Sequence, residues 1–210
     1  MSDNAAGKSR FKFETVASIV AMLVGVSALF VAWDQAQIMR KQQHASVVPI
    51  LNVSGGFSSS EDSHVMTVEL RNNGIGPALI QSARLTVGGH EIKDWPDLRD
   101  RFLPKALHDH FRSSLDTTIG VLAAGERAQA IRFTWSRSPA IDADFEKLKS
   151  NVFSNGANAA VFSVCYCSVF DRCWRSGEGE SSKPQPVKKC NDAGEDVVAR
   201  LLQTISDESD

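Results

Sequence analysis

None of the short motifs G-x-S-x-G, H-E-x-x-H, G-x-x-x-x-G-K-[ST] or G-x-G-x-x-G occurs in these 210 residues. Their absence removes the common sequence marks of esterases, zinc proteases, P-loop NTPases and dinucleotide enzymes. Gly74-Ile75-Gly76 is followed by Pro77 and a strand-like run, not by the helix N-terminus that a phosphate loop needs. Concentrated positive charge is missing too. Residues 45 onward carry 18 Lys and Arg against 22 Asp and Glu, with no basic block longer than Lys188-Lys189. A nucleic-acid groove needs a concentrated positive field, so no nucleic-acid partner is expected. No C-x-x-C is present, and no internal repeat or heptad run interrupts the chain. Nothing in the sequence calls for a cofactor.

One long uncharged run does occur. Thr15 to Trp33, TVASIVAMLVGVSALFVAW, is 19 residues without a charge. As a helix it is about 28 Å long, close to the ~30 Å hydrocarbon core of a bilayer. A cleaved signal peptide has a shorter apolar core, so an uncleaved transmembrane anchor at 15–33 is the expectation, with Trp33 at the interface. Residues 1–14 then form a short N-terminal segment and 34–46 a helical stalk. Lys8, Arg10 and Lys12 precede the span, and Arg40 and Lys41 follow it. Three positives plus the amino terminus against two favour a cytoplasmic N-terminus and an external C-terminal domain; a cytoplasmic domain is the alternative. Ala17, Ala21 and Gly25 recur at four-residue spacing, the small-residue pattern that permits helix association and a homo-oligomer in the membrane.

Beyond Pro49 the pattern changes to short extended segments and turns. VMTVEL at Val65 to Leu70, Ala78 to Val87, Ala128 to Thr134 and Ala159 to Val169 read as strands. Two helical insertions interrupt them. The first, near 96–111, is capped by Asp94, holds Pro96 in its first turn and is broken at Pro104; the second, at 140–149, repeats Ile141, Phe145 and Leu148. Val197, Leu201 and Ile205 mark a short C-terminal helix, and 207–210 an acidic tail. RSGEGESSKPQPVKK, from Arg175 to Lys189, reads as an exposed loop. The expected fold is mainly β: an antiparallel sandwich over 47–206 with helical insertions.

Three of the four cysteines lie in VCYCSVFDRCW. Cys165 and Cys167 share a strand face. A turn at Val169-Phe170-Asp171 sets Cys167 opposite Cys173, within disulfide reach, and leaves Cys190 to close onto Cys165. Four cysteines allow three pairings, and spacing alone does not choose between them. Structural disulfides are preferred to zinc ligation, whose paired ligands are usually spaced more widely, and to thiol exchange. Disulfides also favour an oxidising compartment. His108 and His110, with His90, Asp97 or Asp100 nearby, are weak metal candidates, because residues two apart on a helix diverge. Trp95, Trp135 and Trp174 are far apart in sequence and read as core or rim residues.

VELRNNGIGPALIQSARLTV, followed later by LAAGERAQAIRF, resembles the immunoglobulin-like sandwich modules of bacterial envelope proteins. With the N-terminal span, it is similar to a loose group of uncharacterised bacterial single-span membrane proteins. The resemblance implies a periplasmic, immunoglobulin-like domain on an inner-membrane signal-anchor, and it brings no activity. Asn72, Gly74, Gly76 and Pro77 match the turn as structural residues, with glycine supplying positive φ; Gly125 marks a second turn. The expected function is a membrane-anchored, non-catalytic interaction module with the bilayer and another envelope protein as partners. The alternatives are a thiol-redox or metal-handling protein using Cys165 and Cys167, and an enzyme or sensor whose pocket the sequence hides.

Overall fold

A computed structural model describes residues 6–153, 160–177 and 183–209. The chain divides into two compact units, Met1–Ser46 and Val47–Asp210. The first is one helix, α1 (Ala6–Ala45), of 40 residues and about 60 Å. It has no break at either end of the expected span, because no Pro or Gly cluster interrupts it, so residues 6–14 of the expected N-terminal segment and 34–45 of the expected stalk are turns of the same helix. Thr15–Gln43 is long and apolar enough to cross a bilayer, and none of it is buried.

The second unit is mainly antiparallel β-structure. Its strands are β1 (Leu51–Ser59), β2 (Ser63–Asn72), β3 (Ala78–Val87), β4 (His90–Glu91), β5 (Phe111–Leu115), β6 (Gly120–Leu122), β7 (Arg127–Ser136), β8 (Ala160–Cys167), β9 (Cys173–Ser176) and β10 (Gln185–Val187). One sheet runs β1-β2-β7-β5; the other runs β10-β9-β8-β3-β4, with β6 also pairing β3. β3 alternates buried and half-buried positions along most of its length, as a strand with one face on a core must. Both sheets contribute to one apolar cluster, from Met66, Leu70, Ile131, Phe133 and Trp135 on one side to Ile80, Leu85, Phe162, Val164 and Tyr166 on the other.

Three helices close this core. α2 (Trp95–Phe102) starts where the Asp94 carboxylate accepts from Asp97 N–H at 2.9 Å, and it buries Trp95, Leu98 and Phe102. α3 (Pro139–Phe153) buries Phe145 and Leu148. α4 (Val197–Ser209) buries Val197, Val198 and Leu201 and runs through most of the expected acidic tail. Its N-terminus is fixed by Asp196, which accepts from Val198 N–H, Thr118 N–H and the Thr118 hydroxyl at 2.8–2.9 Å.

Two expectations need correction. The helix expected to resume after Pro104 is a single 3-10 turn at Lys105–Leu107, and Phe111 opens strand β5 instead. Tertiary pairing decides this: β5 lies antiparallel on β7, and Phe111 packs on Trp95, Phe133 and Trp135. The expected loop at 175–189 is strand at both ends. Arg175 and Ser176 complete β9, and β10 pairs with it at Gln185↔Arg175 and Val187↔Cys173. Pro186 is tolerated there because β10 is an edge strand. Residues 178–182 of that segment, and 154–159 before β8, lie outside the described residues.

Candidate functional site

Two turns marked in the sequence meet at one buried side chain. Asn72, at the end of β2, is fully buried, and every polar atom of its amide is used. Its Nδ2 donates to Gly76 O (2.8 Å) and Leu122 O (3.1 Å), while its Oδ1 accepts from Gly74 N–H (3.0 Å) and Ile50 N–H (3.2 Å). Gly125 N–H donates to the Asn72 carbonyl at 2.9 Å. Gly125 has φ +78°, as its turn requires. Gly74 and Gly76 do not have positive φ, which corrects the reason expected for them. A Cβ on Gly76 would collide with the Val47 backbone, and one on Gly74 with Val48 and Ile50. These glycines are required by close approach of two backbones.

The cysteines form the second cluster. β8 and β9 pair with Cys167 opposite Cys173, Tyr166 opposite Trp174 and Cys165 opposite Arg175. The tight turn between them places Asp171 at φ +56°. Disulfides join Cys167 to Cys173 and Cys165 to Cys190, with Cα separations of 4.0 and 5.8 Å. All four cysteines are buried and none is free. The Sγ atoms of Cys167, Cys173 and Cys190 lie within 4.8 Å of one another, so the two bridges abut. With every sulfur in a disulfide, none is a thiolate able to bind metal or attack a substrate. The segment beyond Cys190 is tied down again by Asp192, whose carboxylate pairs with Arg175 (3.0 Å) and Arg84 (2.9 Å).

The histidine candidates do not converge. His108 Nε2 donates to Leu103 O at 2.8 Å, His110 is exposed at φ +58°, and His90 Nε2 faces Asp97 at 3.4 Å. Asp100 pairs with Arg99. Among the described residues these groups form no metal-ligand cluster. Trp95 and Trp135 are core residues, the latter donating its indole N–H to Leu107 O at 2.9 Å. Trp174 is half-buried, stacks on Tyr166 and has the Arg172 guanidinium 6.0 Å from its ring.

A cleft of about 330 Å³ opens between the two sheets beside β1. Its walls include Val53, Phe57, Met66, Leu98, Phe133 and Phe162, and no ionisable side chain lines it among the described residues. That volume is at the small end of ligand pockets, and the lining offers apolar contact without acid–base chemistry.

A polar line that sequence reading missed lies at the far end of β1. Ser59 and His64 are directly opposed across the β1–β2 hairpin. The Ser59 hydroxyl lies 2.7 Å from His64 Nδ1, and His64 Nε2 lies 2.8 Å from Asp142 Oδ1 on α3. His64 is only 3% exposed, and its ring stacks on Phe145 at 4.3 Å. Arg137 binds the same carboxylate through Nε (3.2 Å) and Nη2 (3.1 Å), and its Nη1 donates to the Ser60 carbonyl (3.2 Å). The Arg137 guanidinium, then the His64 hydrogen bond, hold the Asp142 carboxyl below its ordinary value. The serine and histidine are five residues apart, but Asp142 is 78 residues beyond His64.

No protein-family model matches this chain, and neither does any curated protein. The function must be read from these four features themselves: the Asn72 hub, the double disulfide, the apolar cleft and the Ser59–His64–Asp142 line.

Proposed function

We propose that this is a single-pass membrane-anchored protein of the bacterial envelope, with its immunoglobulin-like sandwich domain outside the cytoplasm as an interaction module. The observation that carries the reading is the bare apolar surface of α1: no residue of Thr15–Gln43 is buried. An apolar helix of that length is costly in water and satisfied in a bilayer, through the uncharged stretch at 15–33. The two disulfides support an oxidising compartment, and the excess of positive residues before the span supports a cytoplasmic N-terminus. The two antiparallel sheets with a shared core support the sandwich reading.

The partner is another envelope protein, met at the apolar cleft and at β1. β1 is an edge strand of nine residues with no charge and no proline, which is the kind of edge an added strand can pair with. Ala17, Ala21 and Gly25 are exposed along α1 and would allow close helix packing in the membrane.

The test is fractionation and thiol counting on the full chain expressed in a bacterial host. The chain should stay with membranes through alkaline carbonate washing. A membrane-impermeant maleimide should label no cysteine before reduction and four after reduction and unfolding. Release into the soluble fraction would sink the anchor, and four thiols accessible only after cell lysis would reverse the orientation.

A further inference from the structure

The Ser59–His64–Asp142 line has the order of groups that activates a hydroxyl. Asp142 is one-third exposed and held ionised by Arg137, so it can only accept hydrogen bonds. The proton of the 2.8 Å contact therefore sits on His64 Nε2, which leaves Nδ1 facing the Ser59 hydroxyl at 2.7 Å, where it can accept the hydroxyl proton. Burial of His64 and its stacking on Phe145 fix the ring plane. Ser59 itself is exposed, so a solvent-borne molecule can reach it. The same contacts also satisfy a buried imidazole, a purely structural need. Reactivity is what separates the two roles.

We propose that Ser59 is an acyl-accepting nucleophile, with His64 as its general base and Asp142 as the residue that positions the imidazole. The substrate class is a small ester or comparable activated acyl donor, because Ser59 lies on an open strand and not among the residues of the apolar cleft. In the first step the Ser59 proton moves to His64 Nδ1 as Oγ bonds to the acyl carbon. The imidazolium is stabilised at Nε2 by Asp142. The leaving alkoxide departs with the proton from Nδ1, and the acyl group stays on Ser59. Water, deprotonated by the same nitrogen, then releases the acid and restores the hydroxyl. Nitrogen usage is the reverse of the usual triad, where Nε2 serves the nucleophile, but each ring nitrogen has the role the chemistry needs. The Arg137 guanidinium bonds both the Asp142 carboxylate and the carbonyl of Ser60, the residue after the nucleophile, and so ties the positioning carboxylate to the β1–β2 turn.

The hairpin supplies its own controls. Ser58, Ser60 and Ser63 share the region, and no imidazole contact is formed by any of them. The full chain in detergent would be treated with a fluorophosphonate probe and the labelled serines mapped by peptide mass spectrometry. Ser59 should label at least about 10²-fold faster than Ser58, Ser60 or Ser63, the lower range for general-base assistance. His64→Gln should bring it to the level of its neighbours. Because that residue is buried, Asp142→Asn is the second variant; it should cut Ser59 labelling about tenfold or more while the domain still melts cooperatively. Equal labelling of the four serines, no labelling at all, or an Asp142→Asn protein that folds and labels like the wild type would each overturn the proposal.

Discussion

The β1–β2 and β8–β9 hairpins solve the same problem with different chemistry. Each sets a pair of residues directly opposite across two antiparallel strands: Ser59↔His64 in one, Cys167↔Cys173 in the other. In β8–β9 the pair is closed covalently, and a second disulfide to Cys190 abuts the first. In β1–β2 the pair is closed by a hydrogen bond and extended to Asp142 on a helix. The difference is one of conditions. The covalent lock yields to a reductant and is indifferent to pH, whereas the polar lock ignores reductant and depends on charge.

The largest effect expected is at the covalent lock. Replacing Cys165 and Cys190 together by alanine releases a loop with a sequence separation of 25, against 6 for Cys167 and Cys173. Loop-closure entropy gives losses of about 3.5 kcal/mol for the first pair and about 2.2 kcal/mol for the second. Urea unfolding of both double variants, without reductant and followed by tryptophan fluorescence, measures them. A larger loss for the short bridge would mean that native packing around Cys173, not chain entropy, dominates.

The β1–β2 hairpin has no disulfide, and its open end, where Leu51 pairs with Asn72, is held by close backbone fit. Gly76 is where that fit is tightest, since a Cβ there meets the Val47 backbone just before the chain enters β1. Gly76→Ala should cost about 2 kcal/mol, because backbone on both sides cannot move aside as a side chain could. Gly125 joins the same Asn72 hub but has open space around it and φ +78°. Gly125→Ala should cost only the left-handed penalty, about 1 kcal/mol. Thermal melts of the two variants give the ratio; equal costs would deny that crowding matters at Gly76.

The two hairpins also differ in how far sequence could reach them. The Cys167–Cys173 register follows from counting outward from a turn, because both residues lie on the same short segment. β3, with the same bounds expected and observed, was similarly readable from local alternation and flanking turn residues. Phe111 was not: its neighbours LPKALHDH carry no strand pattern, and its conformation is set by β7, some twenty residues on. Gly74 and Gly76 were found for the wrong reason, since their crowding depends on residues 47–50 that the turn motif does not include. The Ser59–His64 pair gave no local signal, and nothing near Asp142 in the chain points back to it. What sequence supplies is the lock whose parts are local.

The smallest effect is the one that separates the two locks most cleanly. Asp142 accepts from Arg137 and His64, and its folded-state value is depressed from the ordinary 3.8. A carboxylate with a depressed folded value contributes stability above its unfolded value and loses it as pH falls through the folded one. Wild type should therefore melt slightly above Asp142→Asn at pH 7, and the gap should close as pH falls below 3.8. Asp97, Asp144 and Asp192 are also depressed, but they are common to both proteins and cancel in the difference. The gap between wild type and the Cys165/Cys190 double variant should stay constant over the same titration, since disulfides do not titrate. Calorimetry of the three proteins across pH 7 to 2 reads both differences in one series. If the Asp142→Asn gap persists undiminished at the acid end, the carboxylate's charge does not stabilise the β1–β2 hairpin, and the contrast between a covalent and a polar lock reduces to one of packing.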